Sequence, residues 1–218
     1  MRGIERSTAR DMARSGLLLA LALLAGGCSS GPDRAGGGAG RAAAARDGPL
    51  TFRVAASHLL LRDSTPAADT VAITLPGRLY DPPLRVREVT RGKADRSTPE
   101  SAQASFYSAN RAGDRAWILA NWARPDEIRE LVDEHLDQNT RAYARMSGER
   151  ILGRAEYEGR VLLLVERTFE GGRTSAVVNA YQDGPGGWKA TNALSDDRTH
   201  DVVFAALRSG VISAAAGG

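Results

Sequence analysis

From Leu50 onward apolar and polar positions alternate: Leu50-Thr51-Phe52-Arg53-Val54, then Leu59 to Leu61, then Thr70-Val71-Ala72-Ile73-Thr74-Leu75. A period of two is that of a strand with one face buried. Leu84 and Val86 continue it, opposed by Arg85 and Arg87. Thr65-Pro66, Pro76-Gly77 and Asp81-Pro82-Pro83 punctuate the stretch and read as turns or strand ends. Residues 50–92 are therefore expected to be a small β region made of short strands.

The period changes after residues 92–96. Thr98-Pro99-Glu100 places a hydroxyl at a helix N-cap and proline at the first helical position, where no amide partner is lost. Ala102, Phe106 and Ala109 make the inner face of this helix, and Gly113 ends it. Asp114 caps a short second helix carrying Trp117, Ile118 and Trp122. Pro125 opens the longest helix. Along it Ile128, Leu131, Val132, His135, Leu136, Tyr143 and Met146 recur at three- and four-residue spacing, with Glu127, Arg129, Glu130 and Glu134 outside. It is expected to end near Ser147-Gly148.

Four strands follow, at 151–157, 161–169, 174–182 and 188–193, joined by turns at Glu158-Gly159, Gly171-Gly172 and residues 183–187. Turns this short permit only antiparallel neighbours, so the four strands are expected to form a meander. The second is apolar on both faces, Val161, Leu163 and Val165 on one and Leu162 and Leu164 on the other. A last helix, 198–209, is expected after a Ser195-Asp196 cap and before Gly210.

The region before these elements speaks to export. Arginines precede an uncharged run, Gly16-Leu17-Leu18-Leu19-Ala20-Leu21-Ala22-Leu23-Leu24-Ala25, and small residues then lead to Cys28. That order is the plan of a secretory signal, and the run is about half the roughly 20 residues a spanning helix needs. Met12 with Arg14 would also start such a signal. Leu24-Ala25-Gly26-Gly27-Cys28 resembles the lipobox of bacterial lipoproteins, although the family's preferred Leu three positions before the cysteine stands one further back. The resemblance implies cleavage before Cys28, lipid attachment at its thiol by a diacylglyceryl group, and often a third, palmitate-like chain on the new amine. With Ser29 rather than Asp next, it implies the outer membrane, facing the periplasm, in a diderm host. Residues 1–27 are then the signal peptide. Residues 28–49, nearly all Gly, Ala, Ser and Arg after the cysteine, form a flexible tether.

Charge changes the picture little. The formal net charge is +3, but the first 27 residues carry +2 of it, and no run of basic residues forms a stripe. A nucleic-acid partner is not expected. The single cysteine, once acylated, leaves no thiol for a disulfide or a nucleophile.

Helices followed by a meander, with Thr98-Pro99-Glu100-Ser101-Ala102, Phe106, Ala109 and Gly113-Asp114 in the first helix, resemble the nuclear transport factor 2-like superfamily and its small exported lipoproteins. The resemblance covers roughly residues 97–193. It implies an α+β fold with N-terminal helices packed on a curved antiparallel four-stranded meander, here preceded by the small β region, with the domain spanning 97–212. It also implies a conical pocket, which His135, Tyr143, Trp117 and Tyr181 would line. This superfamily usually has a short strand between its second and third helices, and none is legible between Trp122 and Pro125.

No constellation in the sequence assembles a catalytic or metal site. Asp133, His135 and Asp137 lie two apart on a helix and diverge. Asp196, Asp197, His200 and Asp201 fit a helix start, where carboxylates satisfy free amides. His58 stands alone. No cofactor is expected. The primary reading is a membrane-anchored envelope lipoprotein whose non-catalytic domain binds an envelope protein or a small apolar ligand. The alternative is a hydrolase- or isomerase-like enzyme using a pocket histidine, His135 or His200, as general base.

Overall fold

The structure, a computed structural model, describes residues 44–60, 69–209 and 211–214. Strands β1 (Ala44–Ala55) and β2 (Thr70–Arg85) form a long antiparallel pair, with Leu50 opposite Leu75 and Phe52 opposite Ile73. Helices α1 (Pro99–Ala112), α2 (Arg115–Ala120) and α3 (Pro125–Ala144) follow. The chain then returns as β3 (Met146–Tyr157), β4 (Arg160–Phe169), β5 (Thr174–Gln182) and the short β6 (Lys189–Ala190). Helix α4 (Arg198–Ser209) and strand β7 (Ile212–Ala214) complete the described chain. The strands make one antiparallel sheet in the order β6-β5-β4-β3-β2-β1-β7.

This architecture corrects the expected one, although the class is still α+β. The four-stranded meander is only part of a seven-stranded sheet, because β2 is hydrogen-bonded to β3 and β7 adds to β1. The helices do not simply precede a sheet that they cover on one side. Residues of α1 and α3 pack on one face, whereas α4 lies on the other, against β1, β2 and β5.

The proline and glycine positions explain the difference. Pro76-Gly77 reads as a stop, yet Pro76 stands opposite Pro49 and just outside the register with β3, which begins at Gly77. Proline is tolerated where no ladder partner awaits its missing amide. Gly77 marks a close approach: a Cβ there would lie 2.5 Å from the Arg154 carbonyl oxygen and 2.7 Å from Leu50 Cδ1. The Asp81-Pro82-Pro83 interruption is taken up as an irregularity between Leu79 and Leu84 in the pairing with β3. β1 begins at Ala44, inside the stretch read as tether.

The helix starts follow local chemistry. Thr98 accepts from the Ser101 amide in a capping box, Gly113 closes α1 in the left-handed region at φ 63°, and Asp114 accepts from the Trp117 amide. At α4 the capping carboxylate is Asp197, which accepts from the Thr199 and His200 amides at 2.7 and 3.2 Å, rather than Ser195-Asp196. Gly210, expected to stop α4, lies outside the described residues. Between α2 and α3, Trp122 makes a single parallel bridge to Ala190, and the Ala123 amide donates to the Ala190 carbonyl at 2.9 Å.

Residues Leu162 to Val165 of β4 are fully buried. Leu162 and Leu164 join Phe52, Val202 and Val203 beneath α4, while Leu163 and Val165 join Tyr107, Tyr143 and Ile151 beneath α1 and α3. A third cluster, Trp117, Ile118, Leu119, Ile128 and Val132, holds the helices to one another.

Candidate functional site

The alternation that buries Val161, Leu163 and Val165 on the α1–α3 side carries Arg167 to the same side, where it is buried with Glu149 of β3. Arg167 Nε donates to Glu149 Oε2 at 3.0 Å, and a terminal guanidinium nitrogen donates to the Tyr143 hydroxyl at 2.9 Å. Gln103, from α1, donates to Glu149 Oε1 at 2.5 Å. Its side-chain carbonyl accepts from the Tyr181 hydroxyl at 2.6 Å and from Asn179 at 2.9 Å. The guanidinium also lies 5.2 Å from the Tyr143 ring centroid, a cation–π contact. Desolvation works against the charge on Arg167, but Tyr143 and Glu149 outweigh it and its pKa is raised. Burial pushes Tyr143 up to about 12 and Tyr181 well above the ordinary phenol value, so both are neutral hydrogen-bonding groups at physiological pH. Among the described residues the one buried side-chain polar atom without a partner is Arg160 Nε, which is not part of this network.

The residues singled out from the sequence for a pocket are dispersed. Tyr143 and Tyr181 are tied into the network. Trp117 is buried among the helices and donates through Nε1 to Ser105 Oγ at 3.0 Å. His135 is partly exposed on α3, with Glu134 Oε2 3.8 Å from its Nε2. Asp133 pairs with Arg115. Cys28 lies outside the described residues. Both Asp201 carboxylate oxygens accept from the Leu60 amide, at 2.9 and 3.2 Å. Exposed His58 borders a depression of about 270 Å³ with Leu60, Phe204 and Arg208.

A different pocket, about 110 Å³, opens at the β5 edge of the sheet. Phe106, Trp122, Ile128 and Leu131 supply its apolar side from the helix layer. The Phe106 and Trp122 rings meet edge to face, 5.8 Å between centroids at 70°. Asn179, Asn192, Ser195 and His200 supply polar groups. The edge exists because β6 pairs only with Tyr181 and Gln182, leaving most of β5 without a strand on that side. One substitute stands there: the Thr191 amide donates to the Ala180 carbonyl at 2.9 Å. Burial lowers the His200 pKa against the opposing effects of the Val178 carbonyl, Asp201 and Asp197. The imidazole is therefore neutral at pH 7, with one nitrogen donating and the other an acceptor.

Gln103, Glu149 and Arg167 were missed in the sequence, as was this pocket. For Arg167 a signal existed in the parity it shares with Val161, Leu163 and Val165. Among the described residues no three His, Cys, Asp or Glu side chains form a metal-binding group, and no helix is long and apolar enough to cross a membrane.

No family model matches the chain, and no curated protein matches it. Two solved structures show limited similarity. A SEC-C motif containing protein from Rhodopseudomonas palustris is 23% identical over 44% of this chain and 76% of its own, with a TM-score of 0.34. A protein described as a calcium/calmodulin-dependent protein kinase type II association domain, from Thiobacillus denitrificans, is 18% identical over 43% of this chain and 89% of its own, with a TM-score of 0.30.

Proposed function

We propose that the protein is an envelope lipoprotein, anchored through lipidated Cys28, whose folded part is a non-catalytic binding domain. In a diderm host it faces the periplasm from the outer membrane. The segment from α1 to β6 is related, in this reading, to nuclear transport factor 2-like domains, with β1, β2, α4 and β7 added. The lipobox-like Leu24-Ala25-Gly26-Gly27-Cys28 supports the anchor. Two or three acyl chains suit permanent attachment, since one myristoyl-length chain binds a membrane only marginally.

The observation that favours binding over catalysis is the closed network under α1 and α3. A general base must present a lone pair to its substrate. Glu149 is fully buried and holds Gln103 and Arg167 with its two oxygens. His135 is partly exposed on a helix surface, with Glu134 Oε2 3.8 Å from its Nε2. The partners that suit this arrangement are an envelope protein or a small apolar ligand, and a nucleic acid does not suit the balanced charge.

Labelling with a radioactive fatty acid in the native host tests the anchor. The natural chain is expected to take up label and to sediment with membranes, and Cys28→Ser to take up none. Label retained by the variant would refute attachment at Cys28.

A further inference from the structure

We infer that the open part of β5 pairs with the same strand of a second copy of this chain, antiparallel about a two-fold axis at Ala176. The two sheets would then run on as one. The inference goes beyond the reading of the domain as an anchored binding module and does not depend on it.

The direction of each β5 backbone group follows from two hydrogen bonds. The Phe169 amide donates to the Arg173 carbonyl at 2.8 Å, so position 173 faces β4. The Thr191 amide donates to the Ala180 carbonyl at 2.9 Å, so position 180 faces away from β4. Backbone groups alternate sides along an antiparallel strand. Odd positions of β5 therefore serve β4, and Thr174, Ala176, Val178 and Ala180 turn to the other side. There β6 and Thr191 take up only the end from Ala180 to Gln182. The far side of β6 is covered, because the Ala190 amide donates to the Asn121 carbonyl and the Ala190 carbonyl accepts from the Ala123 amide. Among the described residues no strand pairs with Thr174, Ala176 or Val178 on the open side.

A sheet edge is ordinarily guarded by a charge, a proline or a bulge. Thr174-Ser175-Ala176-Val177-Val178-Asn179 has no charge and no proline, and its register with β4 is unbroken. Thr174 is exposed, and Ala176 and Val178 are partly so. What matches backbone groups in this order is another strand.

The open positions select a second copy because they are centred on Ala176. A two-fold axis there sets Ala176 opposite Ala176, Thr174 opposite Val178 and Ser175 opposite Val177, so the same patch serves both copies and every open position is used. The side chains brought together are small or β-branched and uncharged. Arg173 falls opposite Asn179 rather than another cation, and like charges do not meet. An axis at Val177 would bring Thr174 to Ala180, whose carbonyl already accepts from Thr191. An axis at Ser175 would set Val178 against Gly172, outside β5.

Light scattering on the full chain in detergent micelles is expected to give the protein mass of two copies. Ala176→Pro deletes the outward amide on the axis and no bond to β4, and is expected to give the mass of one. Register is read by oxidising chains with one added cysteine, counted over the natural chain treated alike. Opposite residues of a hydrogen-bonded pair have Cα atoms about 5.5 Å apart, within reach of a disulfide, so Ala176→Cys is expected to link two copies. Thr174 is more exposed, yet its counterpart would lie four residues along the strand, roughly 14 Å away. Thr174→Cys is therefore expected to link about tenfold less. Linking of Ala176→Cys no greater than that of Thr174→Cys, as collision by exposure would give, overturns the inference whatever the mass of the natural chain. A natural chain that stays single at every concentration overturns it too. If Ala176→Pro does not fold, the two cysteine variants decide alone, and no outcome touches the anchor at Cys28.

Discussion

At Arg167 the sheet carries a guanidinium that is almost fully removed from water, 7% exposed, against a Glu149 that is 1% exposed. Such a pair survives because each charge has a further hydrogen-bond partner: Gln103 donates to Glu149, and the Arg167 guanidinium donates to the Tyr143 hydroxyl. Removing one partner is far more damaging than removing both. Arg167→Met is expected to cost about 3–5 kcal/mol in urea unfolding, because it strands a buried carboxylate, whereas Arg167→Met with Glu149→Gln should cost less. A single variant within about 0.5 kcal/mol of the natural chain would show that water reaches Glu149. This pair marks how far residue-scale reading carries. The parity of Arg167 was available from Val161 onward, but its partner lies in another strand and Gln103 in a helix, and polar residues on a helix are ordinarily assigned to solvent. Tyr143 and Tyr181, expected beside a pocket, are held in the network by partners that no spacing along the chain reveals.

The elements form where local chemistry dictates, and the sheet forms where it does not. Helices α1 and α2 begin at their expected caps, α3 begins at Pro125, and the turns at Glu158-Gly159 and Gly171-Gly172 separate β3, β4 and β5 as their short spacing requires. By contrast, β2 runs through two proline-bearing interruptions because its neighbours tolerate them: Pro49 faces Pro76, and the β3 register skips the second interruption. Nothing in a local window states that partnership. The double-sided apolar strand β4 was the one sign of a covered second face, and α4 provides the cover. Leu163→Ala and Leu164→Ala point to opposite layers, and each is expected to cost about 2–5 kcal/mol by denaturant titration. A near-neutral result for Leu164→Ala alone would mean that α4 does not seal its face.

At the scale of the molecule, a sheet lies between two helical layers, and its exposed chemistry collects where the layers fail to meet, along β5 beyond the short β6. Beneath α1 and α3 the buried polar side chains satisfy one another. The pocket instead opens at the sheet edge, between residues of α1, α3, β5 and α4. It was illegible in the sequence because His200 and Phe106, almost a hundred positions apart, share it only through the path of α4 across the opposite face.

Native mass spectrometry of the mature chain, extracted gently from the membranes of its own host, tests the account most directly. The account predicts a polypeptide that begins at Cys28, carries the mass of a diacylglyceryl group, and retains a dissociable small-molecule or protein companion. A chain that begins at Met1 or Met12 with an unmodified cysteine and no companion would contradict it.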